Sequence, residues 1–258
     1  MKILVCIKQV PDMESHFEPD SDGTWFIQED LAFRLNEYDE YAVEEAVRLK
    51  EQHGNAPDVT VLSVGPERCG EALKKALAMG CDRAVHVVDP DVSSKDPWQL
   101  ASIIAAFAQD GGFDLVFTGM QSQDRGSAQV GVIFAELLGF ACATTVVDLE
   151  LNDGSITVRR ELEGRLRAVL RLALPAVVTC QSGLNTPRYP TLPNIMKAKK
   201  KEVRLRPVTE LLTEQPRTET VAVYPPARKQ GGIVLEGDVA GMADELVAIL
   251  KEKTTVVR

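Results

Sequence analysis

The chain has 258 residues, of which 45% are hydrophobic and 26% charged, enough apolar material for one large α/β domain plus an extension. A formal net charge of -9 speaks against nucleic acid as the main partner, because phosphate-backbone binding needs clustered Lys and Arg. Cys6, Cys69, Cys81, Cys142 and Cys180 are scattered without a C-x-x-C pair, which argues against a zinc site or disulfide framework and for a reducing compartment, with the cytoplasm as the expected one. No apolar run reaches the ~18 residues of a membrane helix, so direct membrane insertion is not expected.

The chain opens on a β-branched run, Ile3 to Ile7, which reads as a first strand and not as a secretory leader. Asp22 to Ile27 reads as a hairpin excursion before the first helix, Glu40 to Gln52. A strand over Asp58 to Val64 closes at Gly65-Pro66, and a helix follows from Glu67 to Met79. Ala84 to Val88 is strand-like, Trp98 to Ala108 an apolar helix, and Asp114 to Thr118 a buried strand ending at Gly119. A helix is expected over Ser127 to Leu138, then strands at Val146 to Leu149, Ser155 to Val158, Ala168 to Leu172 and Ala176 to Cys180, with the charged Arg159 to Arg167 as a turn.

Short apolar strands separated by helices predict a doubly wound α/β fold with a mainly parallel sheet over residues 1–185. In such sheets ligands sit beyond the carboxyl ends of the strands, so the loops after Ile7, Val64 and Thr118 are the ones that matter. After Cys180 the character changes. Thr186 to Pro193 holds three prolines, a semi-rigid loop unfit for a sheet interior. A basic helix from Asn194 to Lys201 completes a segment over residues 186–201. Residues 202–258 read as a polar, proline-punctuated arm up to Gln230, followed by a last helix over Ala240 to Lys251 and suited to packing on a partner subunit.

The loop from Gly119 to Gly131 follows a buried strand and leads into a helix. Helix N-terminal N–H groups favour phosphate, and the small residues Gly126, Ser127 and Ala128 allow it to approach. The alternative is a plain connection capped by Asp124 or Ser127. There is neither a G-x-G-x-x-G nor a G-K-[ST]. Asn36-Glu37-Tyr38-Asp39 precedes the first helix. Its Asn and Asp either cap that helix or sit at an adenine or ribose edge near the switch point of the sheet. His16, His53 and His86 have no partner at metal-ligand spacing, and no Ser-His-Asp or Cys-His set assembles. A carrier or binding role therefore outweighs catalysis. Lys197, Lys199, Lys200 and Lys201 form a basic run suited to steering an acidic partner. Leu192, flanked by Thr191 and Pro193, is either an exposed docking anchor or an inward-packed residue.

Several stretches together resemble the beta subunits of electron transfer flavoproteins. They are Lys2 to Asp12 (KILVCIKQVPD), Ala42 to Glu51 (AVEEAVRLKE), Ala76 to Arg83 (ALAMGCDR), Leu174 to Thr179 (LPAVVT), and above all Asn185 to Lys201 (NTPRYPTLPNIMKAKKK). The resemblance spans nearly the whole chain. It implies a heterodimer whose larger alpha subunit supplies most contacts to a shared FAD, and a nucleotide in this chain's own domain: AMP in single-flavin members, a second FAD in electron-bifurcating members that use NADH. By position, the nucleotide contacts fall on Cys6, Asn36, Glu37, Tyr38, Asp39, Val64, Asp124, Arg125, Gly126, Ser127, Ala128, Gln129, Val130 and Gly131. Leu192 matches the family's docking leucine, and residues 202–258 would pack on the alpha subunit. The implied role is carriage of electrons from acyl-CoA dehydrogenase-type flavoenzymes to a membrane quinone reductase. A stand-alone adenine-nucleotide-binding regulatory protein is the alternative from another class. The chain departs from the family pattern at Arg125-Gly126, at Arg165 and Arg167, and at Met13, where other members place Tyr or Thr near the flavin ring.

Overall fold

A computed structural model describes residues 1–54, 56–227 and 231–255. The elements run in chain order as β1 (Lys2–Ile7), β2 (Gln9–Pro11), β3 (Phe33–Leu35), α1 (Glu37–Gln52), β4 (Asp58–Gly65), α2 (Cys69–Met79), β5 (Arg83–Val88), α3 (Pro97–Gln109), β6 (Leu115–Gly119), α4 (Val130–Leu138), β7 (Ala141–Asn152), β8 (Ser155–Glu161), β9 (Arg167–Ala173), β10 (Ala176–Cys180), α5 (Leu192–Lys200), β11 (Val203–Pro207) and α6 (Val239–Lys253). The residues form two compact units, Met1–Val223 and Tyr224–Arg258.

In the first unit a nine-stranded sheet has the order β11-β5-β4-β1-β6-β10-β7-β8-β9. From β11 to β7 every pairing is parallel. Side chains alternate along each strand, so each strand feeds two cores. Ile3, Val5 and Ile7 of β1 join one apolar cluster with α1 and α2, whereas Leu4 and Cys6 join a second with α3 and α4. That division puts helices on both faces, as the expected doubly wound fold requires. The chain adds β4 and β5 on one side of β1, then crosses to β6 on the other. The strand order thus reverses beside β1, and the carboxyl ends of β1, β4 and β6 open onto one crevice there.

Several boundaries differ from expectation. The strand expected over Val146 to Leu149 runs from Ala141 to Asn152, and the sheet ends in two antiparallel pairings, β7–β8 and β8–β9. Arg159 to Arg167 is not one turn: Arg159–Glu161 continue β8, Arg167 opens β9, and the reversal is closed by the Leu162 amide donating to the Leu166 carbonyl at 2.9 Å. The excursion after β1 does turn back on itself, with Pro19 bridged to Phe26 and the Phe17 and Phe26 rings edge to face. It is preceded and followed by an unforeseen pair, β2 with β3. Glu202 onward begins not as an arm but with β11, which adds a parallel edge strand beside β5. Its side chains are largely exposed, so it carries no run of apolar residues to betray it.

In the second unit α6 starts two residues after Gly237, with the Asp238 carboxylate accepting the Gly241 amide at 2.7 Å. None of its described residues is buried, and Val239, Leu246 and Val247 are exposed. Residues 228–230, the end of the expected polar stretch, lie outside the described residues. Among the described residues, no helix is long and apolar enough to cross a membrane.

Candidate functional site

The crevice beyond β1, β4 and β6 is a cleft walled by Leu62 and Val64 of β4, Val92 in the loop after β5, and Leu100 and Ile104 of α3. Cys6, Thr118 and Gly119 come from the strand ends, and the loop between β6 and α4 closes the remaining side. Apolar walls of this kind suit a flat ring, and the polar groups gather at the loop.

That loop does not enter α4 where its composition suggests. The helix begins at Val130 and not at Ser127, because Gly126 and Ala128 take left-handed backbone angles (φ 61° and 53°) that no helix accommodates. Ala128 pays a steric penalty of about 1–2 kcal/mol for this. Gln129 returns to right-handed angles and is the N-cap, without a side-chain capping bond. Neither Asp124 nor Ser127 caps the helix. Where a left-handed residue is followed by a right-handed one, as Ala128 by Gln129, successive N–H groups turn to one side. Among the described residues, the backbone N–H groups of Ser127, Ala128, Gln129, Val130 and Gly131 donate to no protein acceptor. Unpaired N–H groups of this kind, at the positive end of α4, are chemically able to hold an anion. Gly131 packs so near β6 and β10 that a Cβ there would lie 2.8 Å from Thr118 Oγ1 and 2.9 Å from Thr179 Cγ2.

Asn36 and Asp39 tie the start of α1 to the end of β1 and to this same loop. Asn36 is the N-cap of α1 by position, yet its side chain makes no cap bond. Its Nδ2 donates to the Gln121 carbonyl at 3.0 Å, and its Oδ1 accepts the Gln123 amide at 3.0 Å. Asp39 accepts the Lys8 amide at 2.7 Å and the Gly119 amide at 2.9 Å. Burial pushes the Asp39 carboxyl up to about 7, against the opposing hydrogen bonds from Lys8, Asn36 and Gly119. The same burial raises the Cys6 thiol far above its ordinary value, with the Asp39 charge acting in the same direction, which favours a neutral thiol lining the cleft.

Cations ring the loop. Lys8 pairs at 2.6 Å with Asp124, whose side chain is largely covered. Burial lowers the Lys8 ammonium, and Asp124 pulls it back up. Lys95 reaches the cleft from the loop after β5, 3.5 Å from both Asp89 and Asp91. The Arg125 guanidinium lies 4.2 Å over the Trp25 ring and donates to the Ser93 carbonyl, and burial lowers its pKa. Arg125 lines both the cleft and a small adjoining chamber walled by Trp25, Phe26 and Phe33.

Of the residues singled out from the sequence, Cys6, Asn36, Asp39, Val64, Arg125, Ser127, Ala128, Gln129, Val130 and Gly131 line the cleft. Glu37, Tyr38, Asp124 and Gly126 do not. Glu37 instead accepts from the Gln123 side chain at 3.0 Å, Asp124 acts through Lys8, and Gly126 shapes the loop. Sequence reasoning missed Lys8 and Lys95, and took Gly119 only as the start of the loop. Lys8 and Gly119 immediately follow or end strands already picked out, which was an available signal. Lys95 lies in a loop with no motif of its own.

The expected docking segment lies elsewhere on the first unit. Leu192 is the first residue of α5, capped by the Thr191 hydroxyl. It is 78% exposed, which rules out inward packing within this chain. Lys197, Lys199 and Lys200 fall in the last turn of α5, whereas Lys201 is tied to the Cys81 carbonyl at 2.6 Å. Met13 is exposed.

Residues 24–211 match the family described as Electron transfer flavoprotein domain. Curated relatives match from end to end. The chain is 38% identical to the electron transfer flavoprotein subunit beta of Bacillus subtilis, over all of both chains. It is 34% identical to that of Methylophilus methylotrophus, over 98% of each, and 36% identical to the human one, over 98% of this chain and 97% of the relative.

Proposed function

Because this chain belongs to the electron transfer flavoprotein family, among its beta subunits, we propose that it pairs with an alpha subunit to hold one FAD between them and a nucleotide in its own cleft. The observation that carries the nucleotide reading is the row of unpaired N–H donors at Ser127–Gly131, residues that line the cleft in a loop held in place by Asn36 and Asp39. Those donors, with Lys8 and Lys95 nearby, suit a phosphate, and the apolar walls at Val64, Leu100 and Ile104 suit a base. A mononucleotide, AMP, is favoured over a second FAD by Arg125. Its guanidinium, stacked on Trp25 and bonded to Ser93, lines both the cleft and the adjoining chamber, so a longer ligand reaching into that chamber would have to displace it.

The flavin, when bound, supplies the redox chemistry; the residues of this chain bind, orient and present it. Electrons would arrive from acyl-CoA dehydrogenase-type flavoenzymes docking at Leu192 and leave to a membrane quinone reductase. The exposed Leu192, with the α5 lysines beside it, supports a docking surface for an acidic-rimmed partner. The free, mostly buried thiols suit a reducing compartment such as the cytoplasm.

The test is the ligand content of the chain co-expressed with its alpha partner and denatured to release what it holds. One FAD and one AMP per heterodimer are expected. Two FAD without AMP would replace this reading with the electron-bifurcating one, with NADH as donor. A monomer without flavin would leave only the regulatory nucleotide-binding reading.

A further inference from the structure

Tyr189, Leu192 and Met196 are 93%, 78% and 57% exposed, so burial of these side chains does not hold the segment in place. Ala198 and Ile195 pack the far part of α5 on the core, and the loop before Leu192 is held from behind. Arg188 lays its guanidinium between two carboxylates of α1. Its Nε and Nη2 donate to the two oxygens of Glu44 at 2.8 and 3.0 Å, and its Nη1 and Nη2 to those of Glu51 at 2.6 and 2.9 Å. The Arg188 backbone amide adds a third bond to Glu44, at 3.1 Å. Three residues earlier, Asn185 donates to the Tyr41 carbonyl at 3.0 Å and to Glu45 at 2.9 Å. Glu44 is 4% exposed; a carboxylate so buried is costly unless fully paired, and here Arg188 supplies its partners.

We propose that Arg188 is the positioning residue of the docking segment, and that its double clamp on Glu44 and Glu51 sets where Leu192 stands. The inference rests on the reading of Leu192 as the docking residue. Little freedom separates the two: Pro190 and Pro193 have fixed φ, and Thr191 is occupied in capping α5. An orientation imposed at Arg188 is therefore transmitted to Leu192. Helix α1 in turn is packed into the core through Ala42, Val43, Ala46, Val47 and Leu49, so the clamp is anchored to a rigid element. A segment ordered beforehand loses less freedom when a partner binds. Lysine at position 188 cannot reproduce the planar fork that engages both glutamates.

The experiment uses the heterodimer with its alpha subunit and an acyl-CoA dehydrogenase as electron donor, and measures KM and kcat for reduction of the flavoprotein. Arg188→Ala is expected to raise KM about three- to tenfold with kcat and flavin content unchanged, and Arg188→Lys to fall between it and the wild type. In the Leu192→Ala background, Arg188→Ala is expected to add nothing, because no anchor is left to position. Independent, multiplying effects of the two substitutions would overturn the proposal, as would an unchanged KM in both Arg188 variants. Should Arg188→Ala lose its flavin, Arg188→Lys decides by the same comparison, singly and with Leu192→Ala. An unchanged KM in Leu192→Ala itself would instead overturn the docking reading, and the positioning role with it.

Discussion

The Gly119 amide donates to Asp39 Oδ1 at 2.9 Å, and a Cβ built on Gly119 would stand 2.3 Å from that same oxygen. The end of β6 and the first turns of α1 are therefore joined at a distance that only glycine permits. Tyr38 Cβ, 2.7 Å from the same built position, closes the other way out.

Gly119→Ala accordingly forces α1 away from β6. A loss of about 1–3 kcal/mol is expected from overpacking, together with loss of the nucleotide proposed for the cleft, because Asn36 and Asp39 move with α1. Chemical denaturation and ligand content after purification check this together. Wild-type stability with a full nucleotide complement would show that the junction yields at no cost.

Asp39 gives the protein a specific pH dependence. Its carboxyl sits at about 7 in the fold and about 3.9 in the unfolded chain, so the native state binds the proton more tightly. Its contribution to stability is fully present below about pH 4, declines as pH rises towards 7, and is constant above that. Asp39→Asn removes this slope and, by turning an amide NH2 towards one of two peptide N–H groups, also lowers stability by about 1–3 kcal/mol. Glu45, likewise raised by burial against the pull of Asn185 and Arg48, keeps its own part in the variant. Urea titrations between pH 5 and 8 compare the slopes; equal slopes in wild type and variant would reject the assignment to Asp39.

Asp96 acts with the opposite sign. It accepts the Gln99 amide at 2.8 Å as the N-cap of α3, and the Arg217 and Thr218 amides at 2.7 and 2.9 Å. Burial pushes its carboxyl up, but these bonds and the Thr218 hydroxyl outweigh it and leave the pKa lowered. Its stabilisation is present above the ordinary Asp range and is lost as pH falls through the folded value. Asp96→Ala is expected to cost about 1–3 kcal/mol and to free residues 217–218 from α3, which amide exchange at Arg217 and Thr218 reports. Unchanged protection there would mean that other contacts secure the segment.

Arg125→Ala removes both the stack on Trp25 and the bond to Ser93. The excursion between β2 and β3 then loses its tie to the loop before α4. Acrylamide quenching of tryptophan fluorescence is expected to increase. A Trp98→Phe background removes this chain's other tryptophan, which is stacked under Arg217 and bonded to Glu214 at 3.1 Å, and leaves Trp25 to report. Identical quenching in that background would show that Trp25 is covered without Arg125.

What the sequence determined by itself were the features written in short-range order. Continuous apolar strands and amphipathic helices carry their period within a few residues, so the doubly wound core and the three strand ends that meet at the cleft were legible in the residues alone. The family was legible for a related reason: Asn185 to Lys201 is a long contiguous string. The tertiary structure decided which chemistry each polar residue serves. Asn36 and Asp39 have the side chains of helix caps, and capping and long-range clamping use the same acceptor atoms; only the approach of Gln121, Gln123, Lys8 and Gly119 turned them from α1 to the cleft. Lys8 and Asp124 meet across 116 positions, a closeness created by sheet order alone. Strand β11 stayed hidden because an exposed edge strand needs hydrogen bonds to β5 but no apolar pattern. Local periodicity records what a segment must bury; which distant partner it buries it against, or bonds to, is settled only when the chain closes on itself.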